Sequence, residues 1–413
     1  ILSYLLAKIL SKDDVIGLLT AFFVTVSQWF FIISRTGYEA TAGLFFFILG
    51  IYLFLLGKDK KKYFLVFSSL SFILSLYSYN SFKLVIPLTL LLLIIFYPKD
   101  LIASMRTSKA LIISLIILIL GGAGVANAIL LGKSARMDEV GISTPYNQKK
   151  YQTVLLVVSN YISHFNPNFL FFSGDINKRS QLSGFGQINF IYIPFLILGI
   201  CYIFQKKRVE YLRPLTLLLI APIPASITRE SPHALRSIVA VPFVALITSF
   251  GIYKLASFFK KKIYIYFLVI IISLSSFFIY YKNFITDYSK QTSNDWQYPY
   301  KKAFENSSKF DQFDQVIISD RYSQPYIFAL FYLKYNPTKF RNEVELNRTI
   351  RKETSVVKRI GKLHFTNIDF YQLPKGKNLI FAHPSERMDE IDYMQVINNP
   401  DGSLAWFVYE YEK

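Results

Sequence analysis

The chain has 413 residues, 53% of them hydrophobic and 17% aromatic, and its mean hydropathy is +0.34 despite a formal net charge of +19. That combination excludes an ordinary soluble domain. It also excludes a nucleic-acid binder as the explanation of the charge, because much of the excess cation sits in short loops between apolar runs, where membrane topology places it. The single cysteine, Cys201, permits no intramolecular disulfide.

The opening stretch "ILSYLLAKIL" is too short to span a bilayer and lacks the basic start of a signal peptide, so it reads as the tail of a span that begins before Ile1. Nine apolar runs then approach the roughly 17 to 25 residues that a helix needs to cross. They cover Val15 to Ile33, Tyr38 to Leu56, Tyr63 to Tyr79, Phe82 to Tyr97, Ala110 to Leu131, Ile188 to Phe204, Leu212 to Thr228, Ala234 to Ala256 and Ile263 to Tyr281. The cation-rich loops "KDKKK" (Lys58 to Lys62), "PKDLIASMRTSK" (Pro98 to Lys109), "QKKRVEYLR" (Gln205 to Arg213) and "FFKKK" (Phe258 to Lys262) all fall on one side of this arrangement. The positive-inside rule makes that side cytoplasmic. The sequence therefore predicts a polytopic α-helical membrane protein, with a transmembrane domain over 1–285 and an exoplasmic α/β domain over 286–413.

The other side receives four segments whose polar residues are candidates for chemistry. In "SRTGYEA" (Ser34 to Ala40), Thr36 and Glu39 match a capping box that would start a helix. Arg35 beside them either snorkels to lipid phosphate or binds a ligand. In "YSYNSFK" (Tyr77 to Lys83), Asn80 or Ser81 is placed to cap the next span, and Lys83 in its first turn opposes the helix dipole unless an anion offsets it. A long loop, about 132–187, contains "YQTVLLVVSNYISHF" (Tyr151 to Phe165), which fits an interfacial helix. That loop also holds the carboxylates Asp138, Glu139 and Asp175, each either a base or metal ligand or else a solvated loop residue. His164 there reads as a structural histidine. In "TRESPHALR" (Thr228 to Arg236), Ser231 and Pro232 are the preferred first residues of a helix. Arg229, His233 and Arg236 would then surround an anion-binding helix N-terminus, or pair internally with Glu230. The four histidines show no metal-ligand spacing, "GFG" at Gly184 to Gly186 is too short for a phosphate loop, and no nucleophile elbow appears.

In the tail, "DQVIISD" (Asp314 to Asp320) predicts a buried strand and "YSQPYIFALFYLKYNP" (Tyr322 to Pro337) a helix. "NLIFAHP" predicts another strand, and "YMQVINNPDGSLAWFVYEY" a hairpin turning at "PDG".

Taken together, "SRTGYEA", "LYSYNSFKLVIPL", "NYISHFNPNFLFFSGDINKRSQLSGFGQI", "APIPASITRESPHALRSI" and "QPYIFALFYLKYNP" resemble bacterial family 39 glycosyltransferases. Those are relatives of the dolichyl-phosphate-mannose protein mannosyltransferases and aminoarabinose transferases, built on the GT-C fold. The resemblance runs in order along nearly the whole chain. It implies an inverting transfer of a sugar from a polyprenyl-phosphate donor to a protein, lipid or glycan acceptor, on the outer face of a bacterial cytoplasmic membrane. Arg35, Lys83, Arg229, His233 and Arg236 would then bind the donor phosphate. The family's catalytic base is an aspartate of the first exoplasmic loop, which falls upstream of Ile1 here. Within the chain, Glu39 and Asp175 are the substitutes to test. No cofactor is required by this reading, and a divalent metal is compatible with it. Two other classes are weighed against it: a transporter or flippase for lipid-linked glycans, and a scaffold that recruits partners through its tail.

Overall fold

In the computed structural model, residues 1–59, 61–130, 140–142, 150–305, 307–346 and 357–413 are described. The chain divides into a helical unit within residues 1–283 and a second unit containing Phe284–Lys413.

The helical unit opens with α1 (Leu2–Ser11), α2 (Asp14–Thr25) and α3 (Gln28–Arg35). Asp13 starts α2 by accepting the N–H groups of Val15 and Ile16 at 2.8 and 3.2 Å. The predicted span from Val15 to Ile33 is not continuous. Ser27 accepts the N–H of Phe30 at 3.2 Å and so starts a new helix, and α2 and α3 meet at 53°.

Next come α4 (Ala40–Asp59), α5 (Phe64–Ser78) and α6 (Phe82–Phe96). The Ser75 hydroxyl donates to the Gly43 carbonyl at 2.8 Å and the Ser68 hydroxyl to that of Gly50 at 2.7 Å, so the backbones of α4 and α5 approach closely through small residues. Phe47 packs on Phe82 near the start of α6, and Phe54 on Tyr97 at its end. This antiparallel packing brings segments 34–40 and 77–83 to one end of the unit and segments 58–63 and 97–109 to the other. The loop expected from Pro98 to Lys109 contains a helix, α7 (Pro98–Thr107), whose first residues turn 89° from α6. Then follow α8 (Lys109–Leu130) and, after the undescribed stretch, α9 (Lys150–Ser163), which buries no residue and matches the expected amphipathic segment.

The unit closes with α10 (Ile193–Gln205), α11 (Val209–Ile220), α12 (Ala240–Ala256) and α13 (Lys262–Asn283). Helices α10 and α12 cross at a pair of glycines. A Cβ on Gly251 would lie 1.8 Å from the Phe195 carbonyl oxygen, and one on Gly199 would lie 2.0 Å from that of Ile247.

Among the described residues, α4, α8 and α13 are long and apolar enough to cross a membrane, and five spans result if each bent pair counts as one. Nine were expected. The difference has local causes: α5 and α6 have 15 residues each, α10 has 13 and α11 has 12, all below the roughly 17 that a straight crossing needs. Prolines shorten the later runs. The chain leaves α11 at Ile220 and makes a separate short turn, Ile223–Ser226, between Pro222 and Thr228.

The second unit is built on a seven-stranded sheet of order β2-β3-β4-β1-β5-β7-β6. Its strands are β1 (Gln315–Ser319), β2 (Val344–Leu346), β3 (Val357–Ile360), β4 (Leu363–Thr366), β5 (Lys377–Ala382), β6 (Gln395–Asn398) and β7 (Leu404–Glu412). β1 lies parallel between β4 and β5, as its continuous apolar run requires, and both faces of the sheet are covered. Val316, Ile318 and Trp406 fill one side, and Ile317, Ile380 and Tyr409 the other. The longer helices of this unit, among the described residues, are α14 (Tyr298–Glu305), α15 (Pro325–Tyr332) and α16 (Pro337–Glu343). The single helix expected over Tyr322 to Pro337 is shorter, because Lys334 takes a left-handed conformation after α15 and Pro337 starts α16. The expected hairpin is present. Asn399 and Ser403 close its turn at 2.8 Å, with Gly402 at φ +84°.

Candidate functional site

The residues singled out in the sequence meet, in part, at the end of the helical unit that carries segments 34–40 and 77–83. Its centre is the segment 228–239, which is not helical. α12 starts at Ala240, so Ser231 and Pro232 do not cap it, and the peptide between them is cis. The backbone groups of this stretch are held by other segments. The Ala234 N–H donates to Asp175 Oδ2 at 2.7 Å, and the His233 N–H donates to His164 Nε2 at 3.1 Å. The Trp29 indole N–H of α3 donates to the Ala234 carbonyl at 3.0 Å. The N–H groups that a helix start would offer to an anion are thus already accepted by His164 and Asp175. The helix-N-terminus anion site expected there is corrected accordingly, and His233 and Arg236 do not share a helical face.

Asp175 is the anchor. It is 3% exposed, its Oδ1 accepts the Asn177 N–H at 2.9 Å, and its Oδ2 holds Ala234. Burial is the main cause that raises its carboxyl to about 6, and Glu230 adds to it. The N–H groups of Ala234 and Asn177, with Arg236, pull the other way. His164 donates from Nδ1 to the Asn160 carbonyl at 2.8 Å and accepts at Nε2, which fixes a neutral tautomer; burial holds it down at about 4. The structural reading of His164 is thus the one the contacts support. His233 is buried as well and lies near 3, through burial first and then the charges of Arg236, His164 and Arg179. Its Nδ1 stands 3.4 Å from Asp175 Oδ2 yet makes no hydrogen bond, and both groups shift toward their neutral forms. We read the pair as a neutral imidazole against a carboxyl, not as an ion pair.

At the rim, Glu230 faces His233 Nε2 at 3.6 Å and Arg236 Nη2 at 3.5 Å, with its side chain 68% exposed. Arg236 also donates from Nη1 to the Thr228 hydroxyl at 2.7 Å and to the Glu230 carbonyl at 3.3 Å. Arg229 turns the other way: its Nε–H donates to the Gly141 carbonyl at 3.1 Å. Asn160 of α9 braces the turn by donating to the carbonyls of Ser226 and Thr228, both at 3.2 Å.

The remaining candidates lie outside this network. Arg35 is exposed at the end of α3, not at a helix start, with its guanidinium 5.2 Å from the centre of the Phe31 ring. A cation there suits the helix dipole. The expected capping box does not form: Thr36 closes α3 by donating to the Ile33 carbonyl at 2.9 Å, and Gly37 then reverses the chain at φ +70°. Glu39 is exposed just before α4. The cap expected from Asn80 or Ser81 is also absent, because Asn80 Oδ1 accepts from Lys83 Nζ at 2.7 Å and Ser81 makes no side-chain cap. Asp138 and Glu139 lie outside the described residues.

Sequence reasoning missed Arg179. It lies in electrostatic range of both Tyr38 and His233, and its turn, Lys178–Ser180, packs against α3, so it connects the Arg35 segment with the Asp175 centre. The signal was Asn177, which caps that turn through the Arg179 N–H at 3.1 Å. Among the described residues, no three His, Cys, Asp or Glu side chains stand close enough to hold a metal ion.

One expectation follows from the two histidines. Each is neutral in the fold and would take a proton below its ordinary value of about 6.5 when unfolded, so the stability it lends is present above pH 6.5 and is lost as the pH falls toward 4. Asp175, raised, works in the opposite direction as the pH falls through 6, one group against two. The melting temperature of the detergent-solubilised chain should therefore drop between pH 6.5 and 4. A flat profile would contradict the buried neutral pair.

No protein-family model matches the chain, and comparison with curated proteins returns no match.

Proposed function

We propose that the chain is a membrane glycosyltransferase of the GT-C type, which takes a sugar from a polyprenyl-phosphate donor at the end of the helical unit bearing the Asp175 centre. The observation that carries this reading is the position of Glu230. An exposed carboxylate held at 3.5 and 3.6 Å by Arg236 and His233 is a weak surface contact, and a phosphate can replace it there. Arg236 is already oriented by Thr228, so its fork meets the phosphate without reorganisation. Arg179 brings a further positive charge toward His233, and Arg35 at the end of α3 and Lys83 in the first turn of α6 lie at the same end. Cations fixed in advance stabilise the charge that develops on the departing phosphate as the glycosidic bond breaks. The family 39 resemblance supports the same chemistry, and the positive-inside pattern makes this end exoplasmic.

Asp175 is a positioning residue in this account. Both of its oxygens hold backbone N–H groups, and it is shielded from an incoming acceptor. The break between α2 and α3 favours a second reading, a transporter for the same lipid, since broken helices beside buried polar groups line transport sites and the Gln28 amide at this break has no hydrogen-bond partner among the described residues. Proteoliposomes loaded with polyprenyl-phosphate-linked radiolabelled hexose separate the two. With a bacterial membrane extract added as the source of acceptor, the transferase reading predicts that the label passes from the lipid to an acceptor hydroxyl or to water as free polyprenyl phosphate is released, slowed by about 100-fold in Arg236→Gln, in the range seen when one oxyanion-stabilising donor is removed. Intact donor that moves across the bilayer would overturn it in favour of transport.

A further inference from the structure

At the opposite end of the helical unit, an apolar cavity of about 420 Å³ opens between α4, α5, α6, α7 and α8. Phe54, Phe72, Leu93, Leu101, Leu111 and Leu118 are among its walls. Three serines also line it, but each hydroxyl is spent on a backbone carbonyl: Ser68 on Gly50, Ser69 on Val66 and Ser114 on Ala110. The interior therefore offers nothing to water. A dry apolar cavity of about 150 Å³ already takes up benzene, and this one is larger. Left open, its walls would forgo the dispersion contacts that a close-packed interior supplies. Ile94, Ile102 and Leu115 form its mouth and are 55%, 53% and 42% exposed, so it opens sideways on the apolar flank of the unit.

Beside the cavity lies a polar cluster. Tyr97, the residue between α6 and α7, packs on the cavity wall residue Phe54, and its buried hydroxyl has no hydrogen-bond partner among the described residues. The Arg213 guanidinium of α11 stacks 4.2 Å from the Tyr97 ring centre, and its Nε is also buried without a hydrogen-bond partner among the described residues. Lys58 Nζ lies 4.8 Å from the same ring, with Asp59 as its ion-pair partner. Asp100 and Glu210 are the other carboxylates in electrostatic range of Tyr97. Even with them counted, each of the segments 58–62, 98–109 and 205–213 carries a net positive charge.

We propose that this is a binding site for an acidic phospholipid: one acyl chain fills the cavity, and the phosphate lies against Arg213, Tyr97 and Lys58. The proposal rests on the helical unit being embedded in a bilayer and is independent of the transferase reading. An apolar slot that opens sideways admits a chain from the lipid phase, while basic pockets between helices on the cytoplasmic side select anionic head groups. The phosphate would meet the positive charge of Arg213, whose guanidinium is held in place over the Tyr97 ring, and that of Lys58 beside it.

The test is native mass spectrometry of the delipidated full chain in detergent. It is titrated with dioleoyl phosphatidylglycerol, dioleoyl phosphatidylcholine and undecaprenyl phosphate. A single phosphatidylglycerol adduct that outcompetes both other lipids is expected. Arg213→Gln should weaken it about fivefold, the worth of one basic residue at an anionic surface. Leu118→Trp, which fills the cavity while leaving the cations in place, should abolish it with the melting temperature maintained. Equal retention of phosphatidylcholine, or adducts that both variants leave unchanged, would overturn the proposal. Preference for undecaprenyl phosphate would overturn the diacyl assignment. A chain that stays monodisperse without detergent would instead refute the bilayer premise itself.

Discussion

Asp175→Ala is expected to destabilise the helical unit by about 2–5 kcal/mol, since it leaves the buried N–H of Ala234 without an acceptor, at roughly 1–3 kcal/mol, and the partly buried N–H of Asn177 as well, at somewhat less. The consequence extends beyond stability. Ala234 is the residue through which segment 228–239 is tied to the 166–190 loop, and the same segment carries Arg236 and His233. Donor-lipid affinity should fall with the melting temperature. Asp175→Asn separates anchor from base: its amide oxygen can serve one N–H, while its NH₂ would face the other donor. A partial loss of stability with a matching partial loss of binding fits an anchor. A fall in transfer of about 10²–10⁴-fold with stability and binding unchanged would instead make Asp175 a general base.

Gly251→Val should yield no folded protein, and Gly251→Ala very little. The atom that a new Cβ meets at 1.8 Å is the backbone carbonyl oxygen of Phe195, and the reciprocal contact from Gly199 to Ile247 is also with backbone, so no rotamer change relieves either. α10 and α12 would have to separate, which opens an interface that buries Ile203, Ile247 and Phe250. Overpacking of a good core costs about 1–3 kcal/mol where side chains can give way, and here they cannot. Size-exclusion chromatography of the solubilised variant measures this directly. A normal monodisperse peak with an unshifted melting temperature would contradict the crossing.

Much of this architecture is readable from residue order alone. The apolar runs mark most of the helices, and the β1, β5 and β6–β7 strands follow from apolar runs and a turn signal that need no distant partner to interpret. The misreadings have two physical causes: backbone groups held by side chains remote in sequence, and local hydrogen bonds or turns that a short window does not rank. "RESPHALR" has the composition of a helix start, yet Asp175, His164 and Trp29 claim its backbone from 59, 69 and 205 residues away. Likewise "RTGYE" has the spacing of a capping box, but Gly37 turns the chain before Thr36 can reach forward. β2, β3 and β4 are three or four residues long and gain their identity from pairing, a non-local property that short windows do not carry. Asp175 and Arg236 were visible as candidates because ionisable residues are scarce near apolar runs. Arg179 was hidden, since a basic residue in a polar loop is unremarkable until its neighbours are known.

The central claim is that the Asp175-anchored end of the helical unit binds a lipid-borne phosphate. It is tested most directly by equilibrium binding of polyprenyl phosphate and the matching neutral polyprenol to the purified chain, the wild type beside an Arg35→Gln, Arg236→Gln double variant. The account predicts that the phosphate binds much more tightly than the alcohol, and that the double variant loses about 100-fold in affinity for the phosphate alone, as expected for two charge-assisted hydrogen bonds. Equal affinity for phosphate and alcohol, or a double variant that binds the phosphate as the wild type does, would contradict it.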